Sequence, residues 1–120
     1  MRSALLLLSA FQIGSCQKPE PMAYADYFVE NHTANVLHIE HTPTLNLTTP
    51  LLAEDVPSGE RVHILSVVMG SGGHAMPSNF FSAFSLQAGD SIVYTGVRDA
   101  DWRIESGATG AVLPVILEVH

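Results

Sequence analysis

Positive charge is scarce in this chain: five lysines and arginines stand against twelve aspartates and glutamates, giving a formal net charge of −7. Nucleic-acid binding needs clustered Lys and Arg to displace counterions, so the composition argues against that partner. It also excludes attachment to an anionic membrane through a basic patch. Cysteine is scarcer still, with Cys16 alone. A single thiol makes no intrachain disulfide and no cysteine-pair zinc or redox motif. Long apolar runs are missing too. The stretch from Ala4 to Ile13, broken by Ser9 and Gln12, is about half of the roughly 20 residues a helix needs to span a hydrocarbon core. No apolar spacing of helical period lasts beyond about two turns, so an all-β chain is expected.

What is present begins with Arg2, the apolar run, and then Gly14 and Ser15, the layout of an export signal. An ordinary signal peptidase wants a small residue three positions before its cut, and a cut after Ser15 would place Ile13 there. Ile13-Gly14-Ser15-Cys16 instead resembles the lipobox of bacterial lipoproteins. That resemblance implies a signal peptide over 1–15 and acylation of Cys16 as the mature N-terminus. One acyl chain binds a membrane marginally and two or more hold it, so the rest of the protein is expected to be tethered. Residues 16–23 form the lipidated tether, with a proline-rich spacer, QKPEPMA, of about 20 Å at polyproline rise. Gln17 stands where an aspartate would resemble the inner-membrane retention signal, which implies sorting to the outer membrane and leaves the leaflet open. Loss of the leader removes Arg2 and leaves Lys18, Arg61, Arg98 and Arg103 as the basic residues.

Residues 24–120 are enough for one domain and not two. Short β-rich runs at 24–30, 36–41, 44–52, 61–69, 79–87, 91–97 and 110–120 suggest about seven strands, the number and spacing of an immunoglobulin-like antiparallel sandwich. Alternation puts Leu37, Ile39 and His41 on the core side of the second run. Pro50 suits an edge for the third, the near-continuous apolar 61–69 suits a central strand, and Pro114 puts the last at an edge or bulge. An unpaired edge at 44–52 or 110–120 would be a place for a partner strand. VPSGERVHI (56–64) and LQAGDSIVY (86–94) share one pattern, read as a turn with Gly59 or Gly89 at positive φ. LQAGDSIVY also resembles a strand opening of fibronectin type III and bacterial immunoglobulin-like domains. That resemblance implies a corner role for the Tyr94 hydroxyl, bonded to the preceding turn.

Chemistry is sought first in the loop MGSGGHAMPSN (69–79), because loops carry sites on such scaffolds. It is not the Gly-Asp-Ser-Gly-Gly of trypsin-like proteases, the lipase elbow, or a phosphate-binding loop. His74-x-Met76, with Met69 as a third soft donor, is a candidate Cu(I) set that resembles the periplasmic copper chaperones of cupredoxin-like fold. Their further methionine would fall at position 52, which is Leu52. The plainer reading is an ordinary hairpin loop with Met76 packed on the end of the sandwich. Trp102 with Asp99, Asp101 and Arg103 is a candidate ligand contact, a ring to stack on a sugar and acids to bond its hydroxyls. Against it, a lone tryptophan is usually buried, with Arg98 and Arg103 then pairing the acids. Asp90-Ser91-Ile92 resembles the O-glycosylation signal of some bacteria. No nucleophile with a base and no full ligand set stands out. The expectation is a non-enzymatic envelope lipoprotein binding a glycan or protein partner or serving structurally, with no cofactor. Copper handling is the alternative.

Overall fold

A computed structural model describes residues 23–69, 76–105 and 112–120. The fold is all-β, two four-stranded sheets packed as a sandwich. Its strands are β1 (Ala23–Asn31), β2 (Leu37–Pro43), β3 (Asp55–Val56), β4 (Arg61–Met69), β5 (Phe81–Ala88), β6 (Ser91–Thr95), β7 (Trp102–Ile104) and β8 (Val112–Val119). One sheet has the order β4-β1-β8-β7 and the other β3-β2-β5-β6. Among the described residues the strands number eight rather than seven, because two short ones, β3 and β7, join the sheets and the expected strand over 44–52 does not form.

Residues 44–54 instead cross the surface as an irregular segment. Its Leu45 is fully exposed, Leu47 N–H closes a turn onto the Thr44 carbonyl at 3.1 Å, and Leu52 N–H donates to the Ile64 carbonyl at 2.7 Å. The last of these places the segment against the outer edge of β4, so the alternation of Leu45 and Leu47 belongs to a crossing rather than a strand.

β4 is an edge strand, not a central one. Its near-continuous apolar run has another cause. The β1–β4 pairing shifts between Tyr27 and Phe28, and this bulge lets Ile64 and Leu65 both turn inward and lie buried. A bulge inserts one residue and reverses which face the following side chains occupy. Val62 and Ile64 therefore belong to one phase, Leu65 and Val67 to the other.

β8 lies inside its sheet, flanked by β1 in parallel and β7 antiparallel, so the sandwich is not antiparallel throughout as expected: its first and last strands run the same way. Pro114 puts β8 neither at an edge nor in a bulge, since its register with both neighbours is unbroken; it ends its neighbour. Glu105 N–H donates to the Pro114 carbonyl at 3.1 Å, but Pro114 has no N–H to return the bond. The β7 ladder stops at the preceding pair, Ile104 with Val115.

The core is drawn from both sheets. Ala25, Tyr27 and Val29 of β1, Val115, Leu117 and Val119 of β8 and Trp102 of β7 meet Leu37, Ile39, Phe84 and Leu86. Each large apolar side chain so buried stabilises the fold by about 1.5–3 kcal/mol relative to exposure. His41, on the same face of β2, is half-buried and packs edge-on against Phe81 at 5.6 Å. The two glycine turns form as the sequence pattern predicts, with φ of +80° at Gly59 and +61° at Gly89. Gly89 opens the two-residue turn between β5 and β6, where positive φ matches the twist of the strands.

Candidate functional site

Of the residues singled out in the sequence, Cys16 and His74 lie outside the described residues, as does the leader. Met69 is the last residue of β4, opposite Ala23 in the pairing. Met76 is half-buried, and its carbonyl accepts from Asn79 N–H at 2.9 Å, opening a 3-10 turn over Pro77–Asn79. Asp90, Ser91 and Ile92 are exposed at the β5–β6 turn.

Asp99, Asp101, Trp102 and Arg103 do not converge on one open surface. Trp102 is 7% exposed. It makes edge-on contacts with Tyr27 at 5.9 Å and Phe84 at 5.6 Å, so its face is spent on the core. Asp99 accepts from Ser78, through the backbone N–H at 3.0 Å and the hydroxyl at 2.8 Å. Burial, with the Asp99 charge behind it, raises the pKa of Tyr27. Arg103 turns to β8 and donates to Glu118 at 2.5 Å. Arg98 does pair with an acid as expected, donating to Asp101 Oδ2 at 2.8 Å.

Tyr94 donates to the same Asp101 oxygen at 2.7 Å, and the Arg98 guanidinium lies 5.0 Å from its ring centroid. The corner tyrosine thus bonds a carboxylate in the following turn, not the turn before it. Asp101 is held below the ordinary carboxylate range, chiefly by the Tyr94 hydrogen bond. Burial, then the bond to Asp101, pushes Tyr94 up to about 12. A folded pKa above the unfolded value of about 10 means that this contribution to stability is whole below pH 10. It is lost as the pH climbs through about 12. In an ultraviolet phenolate titration, Tyr94→Phe should delete a step near 12 and flatten the alkaline fall in stability. If the deleted step lies near 10, the Tyr94–Asp101 bond is not made in solution.

Asp26, His63 and Ser66 meet on the outer face of the β1–β4 pair and superficially form a nucleophile set. Ser66 Oγ donates to Asp26 Oδ1 at 2.6 Å and lies 2.9 Å from His63 Nε2. With its one proton given to Asp26, the serine accepts from His63, which is the reverse of base activation. His63 stacks on Phe28 at 4.9 Å. The arrangement is a surface hydrogen-bond cluster.

The densest set of charged groups sits at the far end of the same sheet. Arg61 donates to Glu30 at 2.7 Å and to both oxygens of Glu105 at 3.2 Å. Its guanidinium lies 5.9 Å from the Phe28 ring centroid. Glu30, Glu105 and Glu118 are each held below the ordinary carboxylate range, by hydrogen bonds from His32, Arg61 and Arg103 respectively. Beyond this network, His32 and His120 stack with centroids 4.6 Å apart and planes within 7°. His32, His120 and Glu118 bring a ligand atom each within 4.8 Å of one another.

Two identical short patterns build this end: Glu30-Asn31-His32 and Glu118-Val119-His120. Each puts Glu and His two positions apart, hence on one side of an extended chain. The parallel register pairs Glu30 with Glu118 and Asn31 with Val119, so the two patterns lie side by side. Sequence reasoning missed the cluster although the repeated Glu-x-His was in view. Only the parallel pairing of the first strand with the last gives it meaning.

A shallow groove of about 480 Å³ runs over the other sheet, lined by Glu40, His41, Ser82, Phe84 and Thr95 among others. No family model, curated protein or solved structure matches the chain.

Proposed function

We propose that this is a lipid-tethered, non-enzymatic module of a bacterial cell envelope, binding a partner or serving structurally through its sandwich. The lipobox-like Ile13-Gly14-Ser15-Cys16 is the feature that carries the tether. In support, β1 opens at Ala23, seven residues beyond Cys16, so the proline-rich spacer spans the whole interval between lipid and sandwich. β1 then runs away from that attachment toward Asn31. Its nine residues put the Glu-x-His end about 25–30 Å along the sheet from the point where the tether enters, at strand rise.

The non-enzymatic reading is supported by how the polar groups are committed. The carboxylates of Glu30, Asp99, Asp101, Glu105 and Glu118 are each engaged by an arginine, histidine, tyrosine or serine partner. The Ser-His-Asp cluster is wired against base catalysis. The outer-membrane location and a glycan or protein partner belong to this proposal. Nothing in the described residues adds to the copper reading through His74, Met76 and Met69.

The test is the intact mass of the protein extracted from membranes, beside Cys16→Ser expressed identically. A mass beginning at Cys16 with added acyl chains, absent from the variant, is the expected result. An unmodified chain in both would end the tether reading.

A further inference from the structure

We propose that the paired Glu-x-His ends of β1 and β8 form a binding site for a divalent zinc-type cation, with His32, His120 and Glu118 as its protein ligands. Two imidazoles and one carboxylate are a donor set that suits zinc, and three protein ligands leave a fourth position for water or a partner's group. The inference is independent of the lipid tether and stands on geometry at the opposite end of the sheet.

Spacing is the first support. Ligand atoms on a tetrahedral cation at about 2.0–2.1 Å are about 3.3 Å from each other. His120 Nε2 and Glu118 Oε1 are 3.5 Å apart, and the whole triad lies within 4.8 Å. The exposed His120 ring lies parallel on His32, so it is the ring that turns to aim a nitrogen at the cation, without disturbing the core.

The outer partners are the second support. Metal-bound histidines characteristically give their other ring nitrogen to a carboxylate, which fixes the tautomer and orients the ring. His32 Nε2 meets Glu30 Oε1 at 2.8 Å, leaving one ring nitrogen to carry the lone pair. Glu30 is in turn held by Arg61. Glu118 has one oxygen occupied by Arg103 and the other turned toward His120. Two ligands are therefore already oriented from outside the triad.

The backbone is the third. His32 N–H donates to the Val119 carbonyl at 2.7 Å, which ties the two ligand segments together just past the last strand pair. A cation here would clip the first strand to the last. It would take its donors from positions 88 residues apart in the chain.

The test uses the full chain in detergent, stripped with a chelator and titrated calorimetrically with zinc chloride. His32→Ala, His120→Ala, Glu118→Gln and His74→Ala are run in parallel, with far-ultraviolet circular dichroism confirming that each is folded. The expected result is one zinc per chain, affinity lowered in the first three variants by more than the roughly tenfold to hundredfold that loss of an outer partner costs, and His74→Ala unchanged. Imidazole NMR signals of His32 and His120 should shift together with zinc. The proposal is overturned by wild-type affinity in His32→Ala and His120→Ala, by loss of binding in His74→Ala alone, or by no saturable binding in the wild type. The mass measurement on Cys16 has no bearing on any of these outcomes, so the two readings fail separately.

Discussion

Trp102→Ala should lower the unfolding free energy by about 3–5 kcal/mol, the range for removing a large aromatic from a core. For a domain of this size that is a fall in melting temperature on the order of 15–25 °C. The physical reason is the ring's place between the sheets. It sits on β7 beside Tyr27 of β1 and reaches across to Phe84 of β5, edge-on to both. Its removal opens a cavity where the two layers meet, and edge-on aromatic pairs add about 0.5–1.5 kcal/mol beyond their buried area. Trp102 Nε1 finds no hydrogen-bond partner among the described residues. Trp102→Phe therefore gives up no hydrogen bond within them and should cost only about 1–2 kcal/mol, from lost volume. Because Trp102 is the sole tryptophan, the comparison is best followed by circular dichroism in urea. A cost below about 1 kcal/mol for the alanine variant would mean that the ring stands outside the core, and a role in ligand stacking would regain its footing.

The burial of that tryptophan was legible in the sequence, since a lone tryptophan is usually buried; the strand that carries it was not. Its neighbours, RDADWRIE, are polar, and a period-2 pattern cannot be recognised from three residues. Only the pairing of β7 with β8 turns Trp102 inward and Arg103 outward. The local signals held where local physics decides. Gly59 and Gly89 adopt positive φ because their turns require it, and Leu37 and Ile39 alternate inward because one face of β2 is wet. Signals that depended on placement within a sheet did not hold. β4 reads as central because a bulge lets both of its phases be apolar, and β8 reads as an edge because Pro114 cannot donate, yet it is the neighbouring strand that bears the consequence. Neither the irregular crossing at 44–54 nor the parallel β1–β8 pairing has a local signature. The candidate cation site depends wholly on the second of these, since its two histidines stand 88 residues apart in the sequence.

The second large effect is expected at Asn31, the buried polar residue among the described ones, 1% exposed. Its side chain offers two donors and two acceptor sites, and all are used. Nδ2 donates to the carbonyls of Asn35 at 2.7 Å and Val56 at 2.9 Å. Oδ1 accepts from the Thr33 N–H at 2.8 Å and its hydroxyl at 2.7 Å. The main chain of Asn31 bonds Glu60 and Gly59 as well, at 2.9 and 2.8 Å. One side chain thus fastens the turn after β1 to β3 and fixes where His32 emerges. Asn31→Ala strands at least one buried carbonyl and should cost about 2–4 kcal/mol, each buried group left unpaired costing about 1–3 kcal/mol. Asn31→Asp separates the two halves of the network. A carboxylate still accepts from Thr33 but cannot donate to Asn35 and Val56, and it places negative charge against two carbonyl oxygens. It should therefore be no more stable than the alanine variant, although it differs from asparagine by a single group. Near-wild-type stability for Asn31→Asp in urea unfolding would show that the Thr33 bonds alone hold the turn. Whatever zinc affinity the His32 site has should fall in both variants, because the turn that presents the imidazole is the turn that Asn31 closes.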